Sequence, residues 1–422
     1  MLRDDTVGSG MRAWRAGPTF RRLWLASTSA NIGDGIGKTA LPLLVASISR
    51  DPIVVASLSA FAALPGLVFT LPFGTLIDRL DRRTLLIVAH TARGLLLGLL
   101  ALCVFTGHLH IALLYGIAFI LGTAETLADG TAETFVPSLV EKEHLEDANG
   151  ALYATSVTSN EFVGPPLGGL LFAAFPGLPF LVNAASFLGS TALISTLPSR
   201  PARRGVEREW WWREVTGGLK WLWSHALLRS VAWLMALTTL LDAAVFALFV
   251  LFATALPGVG PVGYGLLLTA GAVGHILGSL LSPYFSRRFG AGRTVLGSVF
   301  VLGLVYLGLS VLHAPPLLAA LLVLDGLNLG LSGVVKVSLR QRLVPPELLG
   351  RVGGAYRFVI SWAAPLGAFL GGVLGQTLGL RPTFAMAGGL ALVVAVLFLG
   401  RVNNRVVARA QERVDGRTHP SA

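Results

Sequence analysis

Long apolar runs recur along almost the whole chain, each cut off by a short polar or charged turn. A helix that crosses a bilayer needs roughly 20 apolar residues. Twelve runs of about that length lie near 23–47, 53–77, 84–106, 110–134, 150–174, 178–197, 228–254, 262–285, 293–313, 315–338, 354–378 and 381–400. Hydrocarbon offers the backbone no hydrogen-bond partner, so each run must satisfy its own N–H and C=O groups as a helix. Glycine and proline inside such helices are tolerated better than in water. Composition agrees. The 422 residues are 54% hydrophobic and 13% charged, against about 25% charged in soluble domains. A mean hydropathy of +0.71 leaves too little polar surface to face water. The expected fold class is an all-α membrane protein of twelve transmembrane helices.

The net charge of +11 raises the question of nucleic acid, but the charges sit between the apolar runs. Residues 78–83, 141–147 and 200–213 are charged, as are Arg287, Arg288, Arg293, Arg340, Arg342 and Arg351. The alternate turns carry only Arg50, Asp51 and Arg381. Basic turns stay on the cytoplasmic side. The pattern therefore predicts an even number of spans, both termini in the cytoplasm, contact with lipid headgroups and no nucleic-acid partner. Residues 1–22 are polar and basic, and the apolar run after them has full helix length, so no cleavable signal is expected. The single cysteine, Cys103, excludes a disulfide framework or a cysteine metal cluster. Arginine far outnumbers lysine, a compositional hint of a GC-rich bacterial genome.

An internal repeat divides the chain. Leu139-Val140, Glu143, Leu145 and Gly150-Ala151 recur at one fixed offset as Leu343-Val344, Glu347, Leu349 and Gly354-Ala355, and Gly74 recurs at that offset as Gly278. Pro166-Leu167-Gly168 is echoed by Pro365-Leu366-Gly367. A six-plus-six duplication puts a central site between the halves near mid-membrane. The expected organisation is an N-terminal segment 1–22, a six-helix bundle 23–198, a linker 199–227, a second six-helix bundle 228–402 and a flexible tail 403–422. Within the linker, Trp210, Trp211, Trp212, Val215, Leu219, Trp221, Leu222 and Trp223 alternate with Arg213, Glu214 and Lys220. That pattern predicts an amphipathic helix lying in the membrane interface.

Residues 74–86 carry Gly74, Asp78, Arg79, Arg82, Arg83 and Leu86. The segment resembles the signature turn of the major facilitator superfamily, G-x-L-x-D-R-x-G-R-[RK]-x-x-L, and departs from it at Asp81, where the pattern has glycine. Physically, Gly74 would let two helices approach, and a carboxylate here can cap a helix or pair with arginine. The resemblance implies that Asp78, Arg79, Arg82 and Arg83 latch the two halves on the cytoplasmic side; topogenic charge alone is the competing reading. Gly164, Pro165, Gly168 and Gly169 in the fifth run resemble the family's antiporter motif, G-P-x-x-G-G. Small residues permit close helix packing and proline frees backbone for bending. The motif is associated with exporters.

A wider likeness is carried by Phe20-Arg21-Arg22-Leu23-Trp24, Gly33-Asp34, Ala40-Leu41-Pro42, Ala124-Glu125-Thr126, Ala148-Asn149-Gly150, Asn183-Ala184-Ala185-Ser186-Phe187 and Arg340-Gln341-Arg342. These resemble a bacterial subgroup that includes the enterobactin exporter and macrolide or tetracycline-type efflux proteins. The likeness spans nearly the whole chain.

A charge at the bilayer centre costs about 2.5–3.5 kcal/mol by insertion scales, so it survives only beside water, a partner or the bundle interior. Asp34 and Lys38 lie four residues apart in the first run and share a helix face. Arg93 lies in the third run. Glu125, Asp129 and Glu133 form one acidic stripe in the fourth. Asp242, Asp325 and Lys336 fall in the seventh and tenth. We expect Asp34, Lys38, Arg93, Glu125 and Asp129 to line a cavity, with Asp325 as a further candidate, and the carboxylates to carry proton coupling. Structural pairing is the competing reading for each.

Gly37-Lys38-Thr39 resembles the end of a phosphate-binding loop, but that motif needs a glycine where Ile32 stands. Residues 258–263 match G-x-G-x-x-G in a hairpin with no acidic residue at the right distance. No H-E-x-x-H or G-x-S-x-G occurs. No cofactor, metal or enzymatic activity is expected. The resemblance implies a monomeric secondary transporter of a bacterial plasma membrane, exporting a drug, siderophore or secondary metabolite in exchange for protons. An importer or uniporter on the same scaffold is the nearest alternative, followed by a membrane-embedded enzyme and a non-transporting receptor.

Overall fold

The structure is a computed structural model that describes residues 17–140, 144–199, 211–345 and 348–418. Every regular element among them is helical. In chain order they are α1 (Gly17–Ile48), α2 (Pro52–Arg79), α3 (Arg82–Thr106), α4 (Ile111–Leu139), α5 (Leu145–Val157), a π-helical stretch (Thr158–Val163), α6 (Gly164–Ala174), α7 (Leu178–Ser195), α8 (Trp211–Ser224), α9 (Ala226–Thr254), α10 (Pro261–Phe289), α11 (Ala291–Val311), α12 (Pro315–Leu343), α13 (Leu349–Ser361), α14 (Ala363–Leu378), α15 (Leu380–Phe398) and α16 (Asn404–Thr418). Among the described residues, ten helices are long and apolar enough to cross a membrane. The other two expected spans are also helical. The first, α1, carries Arg21, Arg22, Asp34 and Lys38, and the fifth is interrupted by the π-helical stretch.

The helices face hydrocarbon outward and polarity inward. On α3, Val88, Leu95, Leu99 and Leu102 lie on one exposed face, while His90 and Arg93 are buried with Leu86, Ala89 and Leu97. Leu95 is 63% exposed and Arg93 only 6%. In water this distribution would be upside down; in lipid it puts CH₂ groups against acyl chains and keeps the guanidinium among partners.

Two compact units emerge. The first holds the described residues within Met1–Ile48, Phe61–Glu207 and Gly258–Thr269; the second holds those within Ser49–Ala60, Arg208–Pro257 and Ala270–Ala422. Compared with the expected bundles, 49–60 and 258–269 are exchanged. In the first unit α1 packs on α6 and α7, and α3 packs on α4 and α7. In the second, α9 packs on α14 and α15, and α11 packs on α12 and α15. The same scheme is used twice.

Glycine sets how closely these helices approach. A Cβ at Gly35 of α1 would lie 2.6 Å from the Ser159 carbonyl oxygen and 2.8 Å from the Gly164 Cα. One at Gly168 would lie 2.6 Å from the Ile36 carbonyl oxygen. Gly169 and Gly265 let the first turns of α10 lie against Pro165, Pro166 and α6, and Gly372 and Gly375 do the same on α14 for Pro52 and Ile53 of α2. Gly74, by contrast, has no described atom within 4 Å of where a Cβ would stand. Among the described residues, close approach occurs at Gly35 and along the GPxxGG stretch rather than at Gly74.

The π-helical stretch has a local cause. Pro165 and Pro166 cannot donate backbone hydrogen bonds to the preceding turn. The Gly164 N–H reaches back five residues to the Ser159 carbonyl, which is the π register. Around it runs a polar seam to α1. Trp24 Nε1 donates to Thr155 Oγ1 (2.8 Å) and Asn160 Nδ2 donates to Asn31 Oδ1 (2.7 Å).

Asp81 terminates the turn between α2 and α3. Its extended backbone (φ −65°, ψ 119°) needs no glycine, and its carboxylate accepts from the Arg83 N–H (3.3 Å), Thr84 Oγ1 (3.1 Å) and Ser199 Oγ (2.9 Å). The position that departs from the family pattern is therefore the N-cap of α3. Two further differences concern the ends. The linker helix runs over Trp211–Ser224, with Trp210 outside the described residues, and it packs on α13 and α9. The tail expected to be flexible forms α16, which rests on α11, α12 and α9.

Two stability predictions follow from this packing. Gly35→Val should lower the thermal unfolding midpoint in detergent, by an amount equivalent to about 1–3 kcal/mol of overpacking, whereas Gly74→Ala should leave it unchanged. Asp81→Ala should cost about 1 kcal/mol through loss of the N-cap, and Asp81→Gly only a few tenths.

Candidate functional site

In the first unit, α3 projects Arg93 toward α1. Its Nη2 donates to Asp34 Oδ1 in a short ion pair, and its Nη1 reaches Asp34 Oδ2 at 3.5 Å. The same Nη2 lies 3.7 Å from Glu125 Oε2 of α4. The guanidinium stacks over the Phe187 ring of α7, with Cζ 4.1 Å from the centroid. Phe187 is fully buried and meets His90 edge-on at 5.4 Å, and His90 Nδ1 is 2.9 Å from Ser190 Oγ. Four helices thus hold one cation. Asp34 keeps a quarter of its side chain exposed and Glu125 more than half (25% and 54%), while Arg93 is almost covered. Asp129, one turn along α4, is exposed and within electrostatic reach of both Glu125 and Arg93.

Lys38, which shares a helix face with Asp34, is not its partner. Lys38 is exposed, with no acceptor among the described residues. Four residues along one helix permit a contact, but Arg93 offers two parallel N–H groups to one carboxylate, a stronger arrangement than a lysine contact. In the sequence Phe187 stands out only within the Asn183–Phe187 stretch that resembles the family, and nothing local ties it to this cluster. Nearby, Asn183 is buried against Gly33 and Gly37, and its Oδ1 has no hydrogen-bond partner among the described residues.

Asp325 belongs to the second unit. It is buried at 8% exposure, within electrostatic reach of Asp242 and Tyr306. The fully buried Tyr306 donates its hydroxyl to Asp242 Oδ1 at 2.7 Å. α9, α11 and α12 supply Asp242, Tyr306 and Asp325, as α1, α3 and α4 supply Asp34, Arg93 and Glu125. A phenol thus takes the place in the packing scheme that a guanidinium takes in the first unit. Lys336, further along α12, is half-buried and has no acceptor among the described residues.

In the α2–α3 turn, Arg82 Nε donates to Thr134 Oγ1 (3.1 Å) and Arg83 donates to the Ser195 carbonyl. Arg79 is exposed, and the Asp78 side chain lies outside the described residues. Gly164, Pro165, Gly168 and Gly169 are buried in α6 and form its contact with α1 and α10. Among the described residues no group of three or more His, Cys, Asp or Glu is arranged to hold a metal ion.

Comparison with known proteins matches this chain to the family described as transmembrane secretion effector over residues 12–419. The multidrug efflux pump Tap of Mycolicibacterium fortuitum is 29% identical over 402 residues, covering 92% of this chain and 95% of that protein. Macrolide efflux protein A of Streptococcus pyogenes is 23% identical over 384 residues, covering 90% and 94%. Among solved structures, the nucleoside transporter NupG superposes with a TM-score of 0.72 at 14% identity, covering 91% of this chain and 99% of that one. A bacterial homologue of the iron transporter ferroportin gives 0.66 at 20% identity, covering 90% and 98%. At those identities the superpositions speak for the fold alone. With helices that place apolar side chains outward, a packing scheme used twice and a family match along nearly all its length, the chain belongs to the transmembrane secretion effector family and is a multi-pass secondary transporter of the major facilitator type, not an enzyme.

Proposed function

We propose that this protein exports a small amphipathic molecule, a drug, siderophore or secondary metabolite, in exchange for protons by alternating access. The observation that carries the proposal is the Asp34–Arg93–Glu125 cluster. With Asp129, one guanidinium faces three carboxyl groups. In a low-dielectric setting a surplus of like charge is costly, and a carboxyl group relieves it by taking a proton. Arg93 then acts as the fixed charge for which proton and substrate compete. The export direction is supported by the antiporter-like stretch Gly164–Gly169 and by two relatives named as efflux proteins. Asp325 with Asp242 is a second carboxyl pair, with a phenol in place of a cation, and we assign it an auxiliary proton-binding role.

In this reading the protein works as a monomer with both termini in the cytoplasm. Bundles 23–198 and 228–402 rock against each other, and Asp78, Arg79, Arg82 and Arg83 latch the cytoplasmic side. Lys38 faces the cavity as an unpaired positive charge.

In everted vesicles with an acidified lumen, offered ethidium or a macrolide from outside, Asp34→Asn and Glu125→Gln should abolish uptake driven by the pH gradient. Both should retain counterflow exchange, which needs no net proton movement. Full proton-driven activity in both variants would remove these groups from coupling. Arg93→Ala should lower stability by about 3–5 kcal/mol, because it leaves Asp34 uncompensated. Adding Asp34→Asn to it should restore much of that loss, as read by thermal unfolding in detergent.

A further inference from the structure

A cavity of about 490 Å³ opens where two spans of the second unit end, bounded by the first turns of α9, the end of α15, the turn after it and α16. Its lining includes Arg229 and Arg401, the aromatic rings of Trp233 and Phe398, and the aliphatic Leu227 and Val406. No acidic side chain is among its described lining residues. Both arginines have donors to spare. Arg229 uses Nη1 on the Trp223 carbonyl (2.9 Å), and the Arg401 guanidinium lies over the Phe398 ring at 5.8 Å with no acceptor among the described residues. The wall formed by α9 adds free backbone N–H groups, because its N-cap, His225, makes no side-chain capping bond. Together these groups give the cavity a donor-rich, cationic wall.

The depth of the cavity is marked independently. Trp233 stands in a row with Trp223 and Trp362, each pair edge to face at 6.3 Å. Tryptophan concentrates at the headgroup level of a bilayer. Ala226 and Phe398, which begin one candidate span and end another, both line the cavity, so it opens at the membrane surface. A cavity there that is cationic on one wall and apolar on the other suits an amphiphile whose anionic group sits at headgroup depth.

We propose that this cavity is a binding site for the phosphodiester headgroup of an anionic phospholipid, with Arg229 and Arg401 on the phosphate, Trp233 at the glycerol level, and Leu227 and Val406 against the acyl chains. The site is separate from the carboxyl clusters and independent of what is transported or in which direction.

The test is native mass spectrometry of the full-length detergent-purified protein, offered phosphatidylglycerol, cardiolipin, phosphatidylcholine or inorganic phosphate. The wild type should retain the anionic lipids over phosphatidylcholine. Retention should fall by about fivefold for each arginine lost in Arg229→Gln and Arg401→Gln, and roughly thirtyfold for the pair. Arg287→Gln with Arg288→Gln, which removes the same charge from the end of α10, should leave retention unchanged. A second readout uses the unaltered binding arginines: brominated phosphatidylglycerol should quench tryptophan fluorescence more in the wild type than in Trp233→Phe. Equal retention of phosphatidylcholine, equal loss in the α10 control, capture of inorganic phosphate without lipid preference, or quenching that ignores Trp233 would each overturn the proposal.

Discussion

Hydrocarbon supplies no hydrogen bonds, and the organisation of this protein follows from that. Each backbone polar group must be answered within its own helix or by a neighbour. The chain is accordingly helical wherever it crosses, and where two prolines withdraw their donors beside Gly164, the helix shifts register and closes the gap with a five-residue hydrogen bond. Helices in lipid gain little from hiding apolar side chains, since the solvent is equally apolar, so close van der Waals contact takes over as glue. Gly35 against Gly164, and Gly168 against Ile36, are that contact.

The same constraint explains why ionised groups are few and clustered. Arg93 is enclosed by Asp34, Glu125 and Phe187, so its charge is met by carboxylates on one side and by a ring face on another. The second unit meets the constraint differently. Tyr306 bonds Asp242 with a neutral hydroxyl, and Asp325 has no cation beside it among the described residues. Two halves with one packing scheme have thus arrived at different electrostatics.

Much of the fold was legible in the sequence because hydrophobicity and charge placement are local properties. The runs, the charged turns and the amphipathic linker helix could all be read from residues close together in the chain. Which charges meet could not. Asp34 and Lys38 share a helix face in any helix, but the partner that wins is Arg93, 59 residues away, and only tertiary packing brings it there. Asp81 looked like a defect in a glycine pattern; three-dimensional structure makes it a cap. Gly74 shows the reverse, a glycine whose neighbours leave room. The end of the chain reads as polar and basic, yet Val406 and Val407 give α16 one apolar edge to rest on the second unit.

The π-helical stretch at Thr158–Val163 has one more consequence. It accommodates one residue beyond what an uninterrupted α-helix would hold. Each residue advances a helix by about 100°. Winding the same residues as a regular α-helix would rotate everything after them by about that angle, turning Gly168 away from Ile36 and Gly169 away from Pro261. The irregular turn therefore acts as a phase setter: it fixes which sides of α5 and α6 look at α1, and a tidier helix would be a wrongly aimed one.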